Sequence, residues 1–399
     1  MAPPDIYDVV VVGGGPAGAL SAHLLAQQGR RVLVLEAEPA VRRKVCGEYL
    51  CPKGVELLDD LGLSGIAPSR PITGMRIVSP AGRIVEASFP VSRGRPSIGG
   101  ALNRRLFDAA LLDRARVSGA EVIVGARVAR IERNGDGFRV EASVQGMPRM
   151  HDAKLLVGAD GRRSIVAKWL GLTLPSASDR VALHGHFHRP WPNTNAGEMH
   201  LVGEGGYIGV DPTGDHEVNV SLVCSAKRVR ELGGARATMD YYVALAPDYL
   251  RRYGTYPRAA SLKGVSPITH RVGAPVARGA ALVGDAAGFL DPLTGEGIYF
   301  ALFGARALAH AFAEVDVQQR AEAIDRALRR YARARDAALA PKWRMNSGFQ
   351  WLIANPNHVE RVARFLARDP ARANGLLGAI GNVYGPAEGV LRTLVPERM

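Results

Sequence analysis

The residues with the most chemistry in close company run Arg42-Arg43-Lys44-Val45-Cys46-Gly47-Glu48-Tyr49. Cations beside a thiol favour its thiolate, so Arg43 and Lys44 would make Cys46 a redox or proton-donating group. Glu48, two residues on, can serve as an acid or a base. The plainer alternatives are a thiol that packs as a small apolar side chain and a glutamate in an ordinary salt bridge. His184, His186 and His188 alternate, so on a strand they share one face. Such neighbours stand about 7 Å apart, which suits solvent or a polar cavity wall better than a metal. The other cysteines are Cys51 and Cys224. An odd, sparse set argues against a disulfide framework, and zinc-type spacing is missing.

These groups need a frame, and the N-terminus supplies its signal. Tyr7–Val12 is a short β-branched run, as expected of a buried parallel strand. The turn Gly13-Gly14-Gly15-Pro16-Ala17-Gly18 follows at once. A helix over Ala19–Gln28 then stops at Gly29, and a second strand, Arg31–Leu35, ends on Glu36. Gly13 permits the tight turn, Gly15 lets backbone approach a pyrophosphate, and Gly18 lets the helix pack on the strand. The helix N-terminus then holds phosphate. Glu36, 18 residues past Gly18, is placed to accept from a ribose 2′-hydroxyl and disfavours a 2′-phosphate there. Strand, glycine turn, helix, strand and acid together predict a dinucleotide site.

Length and composition bound the rest. A chain of 399 residues, 47% apolar and 22% charged, predicts a soluble protein of more than one domain. No stretch has the roughly 18 apolar residues a membrane span needs. The first residues lack the basic start and apolar core of a signal peptide, so a cytoplasmic location is expected. The net charge is +13, and 44 of the 51 basic residues are arginine. This excess fits an arginine-rich genome. It also fits an anionic partner such as a nicotinamide phosphate, an acidic substrate, an acidic carrier protein or a membrane surface. Scattered cations without interleaved aromatics argue against nucleic acid.

Three further segments carry a family resemblance. Arg104-Arg105-Leu106-Phe107-Asp108 opens a helix; Leu155–Arg162 reads LLVGADGR; Ala281–Phe300 reads ALVGDAAGFLDPLTGEGIYF. With the N-terminal turn, they resemble the geranylgeranyl reductase family and the para-hydroxybenzoate hydroxylase-like (group A) flavin monooxygenases, from Tyr7 to about Arg330. The resemblance implies FAD as cofactor. It places Arg104 against FAD, Asp160 in a turn that serves FAD and NAD(P)H, and Asp285 on the ribityl hydroxyls. It places Pro292, Gly295, Gly297 and Ile298 at a helix start facing the flavin, where the dipole favours negative charge. Ala17 joins the N-terminal turn, Val128 lends backbone to the adenine, and Gly47 lies beside Cys46 at the isoalloxazine. No second glycine-rich turn exists, so NAD(P)H is expected to dock transiently as electron donor.

The implied fold is α/β. A Rossmann-like FAD/NAD(P)-binding domain of the glutathione reductase type is drawn from 1–75, 99–180 and 270–340. An inserted antiparallel β-sheet substrate domain comes from 76–98 and 181–269, and 341–399 forms a helical C-terminal segment broken at Pro356, Pro370 and Pro386. Strands are expected at Met75–Ser79, Arg83–Ala87, Val181–His188, Tyr207–Val210 and Glu217–Val223, with Gly203–Gly206 and Asp211–Gly214 as punctuation. The tail either docks on the body, closes the substrate pocket or touches a membrane.

The leading functional expectation is an NAD(P)H-driven monooxygenase of a small apolar, aromatic or polyketide-like secondary metabolite. The alternative is a flavin-dependent reductase of carbon–carbon double bonds, of the geranylgeranyl reductase type, with Cys46 or Glu48 as proton source. A third reading is a flavoprotein acting on a protein or on a substrate bound to an acidic carrier protein. The reductases carry Tyr-x-Trp-x-Phe-Pro in the roof, whereas Tyr207-Ile208-Gly209-Val210-Asp211-Pro212 stands here. The Gly-Trp-x-Trp-x-Ile-Pro signature of flavin halogenases is absent from the sequence.

Overall fold

The computed structural model describes residues 5–41, 44–67, 69–176, 178–188, 194–214, 216–254, 262–316 and 321–396. Arg43, one of the two cations read as favouring a thiolate, lies outside them. The strand Asp5–Val12 runs parallel to Val32–Glu36 on one side and to Met147–Gly158 on the other. Glu121–Val124 and Ala280–Leu282 extend this parallel sheet at its two ends. The N-terminal half of Met147–Gly158 also closes an antiparallel meander with Gly137–Val144 and Ala126–Asn134.

The period of two along the first strand splits the core. Val9 and Val11 pack with the helices Pro16–Gln27, Arg104–Val117 and Gly297–Phe312, beside Leu20, Phe107 and Leu302. Val10 and Val12 face the meander, beside Leu33, Val128 and Val140. Each such buried aliphatic side chain contributes about 1.5–3 kcal/mol. The first helix begins at Pro16, three residues earlier than expected, because proline suits the first helical position, where no N–H is needed.

A second sheet of seven strands stands apart. Its order is Lys263–Val265, Arg180–His188, Glu217–Ser225, Gly206–Gly214, Ala196–Gly203, Gly74–Val78 and Ile84–Ser88. All pairings are antiparallel except Ala196–Gly203 with Gly74–Val78, where strands from two separate stretches of chain meet. Asp211–Gly214, expected as a break, belongs to a strand. Pro212 pairs with Val218, and the ladder then takes an irregular step before Gly214, which accommodates the missing N–H.

One face of this sheet is covered by the helices Ala235–Ala244 and Pro247–Tyr253, through Met239, Tyr242 and Tyr249 on Val210, Val220 and Leu222. The other face looks at the nucleotide-binding side. There Ala182, Tyr207 and Val223 join Leu293 with Ile353 and Val359 from the C-terminal helices, while Val45 and Phe349 pack alongside. The long helix Ala321–Ile353 runs through Pro341 and is followed by Pro356–Leu366, Pro370–Ile380 and Pro386–Leu394. The three prolines read as breaks start helices instead. No helix among the described residues is long and apolar enough to cross a membrane.

Candidate functional site

The predicted nucleotide segments converge on the start of the first helix. Gly13 has φ +103°, and a Cβ on it would lie 2.5 Å from the carbonyl oxygen of Ala159. A Cβ on Gly18 would sit 1.9 Å from the Gly13 oxygen. A Cβ on Gly284 would lie 2.8 Å from that of Ala17, which seats the Asp285 turn against the same helix. Asp285 in turn lies 3.7 Å from Nε of Arg162. The Gly14 N–H donates to Glu36 Oε2 (2.6 Å) and the Glu38 N–H to Oε1 (2.9 Å), leaving one lone-pair side of each oxygen for a further donor.

Three features fit a dinucleotide there. A Cβ on Gly15 would meet nothing within 4 Å, so the space ahead of the helix is open. No side chain caps that helix, nor the one starting at Gly297. Asp160 accepts from the Ile165 N–H (2.7 Å) through Oδ2, while its buried Oδ1 has no hydrogen-bond partner among the described residues. Uncapped helix starts hold anions, and a buried acceptor without a donor awaits one.

Arg104 is differently employed than expected. Its fork closes on Asp108 one turn along, Nε to Oδ1 at 2.8 Å and Nη2 to Oδ2 at 2.9 Å, and it also lies against the Cys46 sulfur. The fork gives two of its five N–H groups to this carboxylate. Val128 packs its side chain into the core under the meander, beside an irregular step in the ladder before Arg130.

Ile298 is buried in the first turn of its helix, and Gly295, at φ +67°, packs so tightly that a Cβ would lie 2.6 Å from the Tyr49 ring. The loop from Gly284 to Gly297, which contains Pro292, is held by one face of the long helix. Arg335 Nη2 donates to the Ala287 carbonyl (2.6 Å), Lys342 Nζ pairs with Glu296 Oε1 (2.9 Å) and Asn346 Nδ2 donates to the Asp291 carbonyl (3.1 Å). From the roof, the Tyr207 hydroxyl donates to Asp291 Oδ1 (2.6 Å). Gly284, Asp285, Phe289, Gly297, Lys342 and Trp343 line a cleft at this junction. These clasps were missed in the sequence. Their signal was polar residues at helical spacing, Arg335, Lys342 and Asn346, on what turns out to be a buried face.

The Cys46–Glu48 turn sits under the second sheet. Asn219 Nδ2 (2.5 Å) and Ser221 Oγ (3.4 Å) both donate to the Cys46 carbonyl. Glu48 is fully buried at φ +60°, a left-handed conformation that non-glycine residues seldom adopt. Its Oε1 accepts from the Arg104 N–H (3.0 Å) and its Oε2 lies 2.5 Å from His186 Nε2. His184 is buried, with its ring edge-to-face on that of His186 at 5.3 Å, whereas His188 is exposed. Two of the three histidines are therefore interior. Alternation showed their common face but could not show what covers it.

The thiolate expectation at Cys46 reverses. Desolvation, ahead of the opposing pull of Arg104, pushes the thiol pKa up, so the sulfur stays protonated at neutral pH. Cys51 is buried and pushed up to about 12, also chiefly by desolvation, and both are free thiols. Iodoacetamide at pH 7 is expected to label Cys46 more slowly in the folded protein than in the unfolded chain. Labelling should accelerate only above the ordinary thiol range; rapid labelling at neutral pH would contradict this.

Comparisons with known proteins agree with this geometry. A family model described as the FAD binding domain matches residues 6–341. The chain is 32% identical over 354 residues to a digeranylgeranylglycerophospholipid reductase of Methanosphaerula palustris, covering 81% of this chain and 84% of that one. It is 33% identical over 305 residues to a menaquinone reductase of Mycolicibacterium smegmatis, covering 74% and 73%. Among solved structures, a geranylgeranyl bacteriochlorophyll reductase-like protein of Thermoplasma acidophilum superposes with a TM-score of 0.80 at 22% identity, covering 99% and 97%. A flavin-dependent halogenase superposes at 0.78 and 21% identity, covering 99% of this chain and 77% of that one. At such identities the superpositions establish the fold alone.

Proposed function

Since this chain belongs to the FAD-binding-domain family and is kin to digeranylgeranylglycerophospholipid reductases, we propose that it reduces a carbon–carbon double bond in an apolar, isoprenoid-like substrate. It is an FAD-dependent oxidoreductase. The reductase names of the relatives favour this reading over hydroxylation.

The observation that carries it is the Cys46 turn, clamped to the roof by Asn219 and Ser221, with burial pushing its thiol pKa up. Saturating a double bond takes a hydride at one carbon and a proton at the other, and in this reading Cys46 gives the proton. Bound FAD, once reduced by NAD(P)H or another donor, supplies the hydride. Gly13, Gly15, Ala17 and Gly18 open the phosphate site; Glu36 takes the ribose; Val128 borders the adenine; Asp160 and Asp285 face the cofactor. Gly47, Pro292, Gly295, Gly297 and Ile298 leave the flavin edge close to backbone. Glu48, with both oxygens engaged, is a positioning residue that sets His186 and the Cys46 turn. Tyr207, Val223, Leu293, Ile353 and Val359 form an apolar cluster on the same face of the roof, the kind of surface that a prenyl chain requires.

The test is turnover of prenyl substrates by the FAD-loaded protein reduced with dithionite under nitrogen. Products gaining two hydrogens per double bond without oxygen are expected. Strict dependence on oxygen, with oxygen appearing in the product, would sink the reductase reading and restore the hydroxylase.

A further inference from the structure

One carboxyl group on the roof face is unused by this chemistry. Asp211 is more than nine-tenths buried, and its Oδ1 has no hydrogen-bond partner among the described residues. By register it stands opposite Asn219 and shares a face with Gly209, Ser221 and His186. Asn219 and Ser221 hold the Cys46 carbonyl and His186 meets Glu48, so Asp211 borders the same gap. The gap is open on both sides, because a Cβ on Gly209 or on Gly47 would meet nothing within 4 Å. Gly197, on the neighbouring strand, keeps side-chain atoms of its own away from the acid: a Cβ there would lie 2.7 Å from the Met75 sulfur and 3.1 Å from Asp211 Oδ1.

The ionisable groups around Asp211 are Glu48 and Tyr49 from the turn, Glu198 from the adjacent strand and, beyond Asn219 on the same face, His186. Glu48 already has a partner at each oxygen. A buried carboxyl group with other carboxyl groups nearby resists ionising. Burial first, and then Glu48 and Glu198, hold it up at about 8. At neutral pH it is a carboxylic acid with an O–H to donate.

We propose that Asp211 donates a hydrogen bond to a carbonyl oxygen of the substrate, and that the double bond reduced is the one conjugated to that carbonyl. The proposal rests on the reductase reading. Hydride added at the β-carbon breaks the C=C π bond, and the electron pair moves onto the carbonyl oxygen beside Asp211. As the C=O re-forms, the pair returns to the α-carbon, which takes the Cys46 proton; water restores the thiol. The net change is one hydride and one proton added. A neutral acid suits this oxygen, since it stabilises the developing negative charge that a carboxylate would repel.

The probes are citral, an α,β-unsaturated isoprenoid aldehyde, and geraniol, the matching alcohol, with FAD-loaded protein reduced under nitrogen. Flavin reoxidation is expected with citral and far more slowly with geraniol. Asp211→Leu should lower the citral rate on the order of 100-fold, the usual loss of a donor to a developing oxyanion. Asp211→Asn keeps a donor should the leucine variant fold poorly, and should abolish the fall in rate above pH 8. Independently of turnover, the infrared carbonyl band of citral bound to the oxidised protein should move to lower wavenumber in the parent and not in Asp211→Leu. Equal rates for the two probes with an unshifted band would overturn the proposal and leave the reductase reading standing. An Asp211-dependent band shift with no reduction of any prenyl compound would uphold the carbonyl site and sink the reductase reading.

Discussion

Gly15→Val is expected to give a folded protein that purifies without flavin, whereas Gly18→Val is expected not to fold. The two glycines are three residues apart, Gly15 just before the first helix and Gly18 within its first turn, and they differ in what surrounds them. Gly15 has an extended backbone, φ −69° and ψ −178°, that valine adopts freely, and open space where its side chain would go. That space lies before the uncapped start of the first helix, where the pyrophosphate is proposed to bind. Valine there leaves the fold intact and blocks the anion from the helix amides. A loss of FAD affinity on the order of 100-fold corresponds to about 2.8 kcal/mol. At Gly18 the first added atom would lie 1.9 Å from the Gly13 oxygen, a backbone atom between strand and helix. Ordinary overpacking costs about 1–3 kcal/mol, and a clash with fixed backbone exceeds it. Circular dichroism and flavin absorbance on both variants check this. A yellow Gly15→Val protein would remove the cofactor site from this turn.

Replacing Glu48 is the second large effect. Its carboxylate is fully buried between His186 and the start of the helix Arg104–Val117. Removing it leaves two buried hydrogen-bond partners, the His186 ring nitrogen and the Arg104 N–H, unmatched, at about 1–3 kcal/mol each. The backbone at φ +60° adds a separable part. A non-glycine residue in that region costs about 1–2 kcal/mol, so Glu48→Gly should be more stable than Glu48→Ala by about that much. Both should lose turnover, since the Cys46 turn loses its anchor under the roof. Urea denaturation of the three proteins measures the two parts. Glycine and alanine variants of equal stability would show that the left-handed turn relaxes at no cost.

The nucleotide half of the molecule was legible because its logic is local. Strand, turn, helix and acid are contiguous, and Gly13 and Gly18 make the tight turn and the close helix packing that their spacing implies. For Arg104 the motif did not show its protein partner, Asp108, one helical turn along. The Cys46 thiolate failed for a related reason. Neighbours in sequence said cations, yet the surroundings in space are dominated by desolvation, which sequence adjacency does not report.

By itself, then, the sequence determined a dinucleotide-binding α/β fold, since this rests on short-range patterns of glycine, β-branched runs and single acids, and its family resemblance implied FAD. Only the tertiary structure decided which groups meet at the site. His186 and Glu48 are 138 residues apart, and Asn219 reaches Cys46 across 173. Register between distant strands sets which face of the roof looks inward, and burial then decides which acids keep their protons. The feature that names a class of cofactor is thus local. What selects the reaction is assembled by folding, because desolvation and hydrogen bonding act through space.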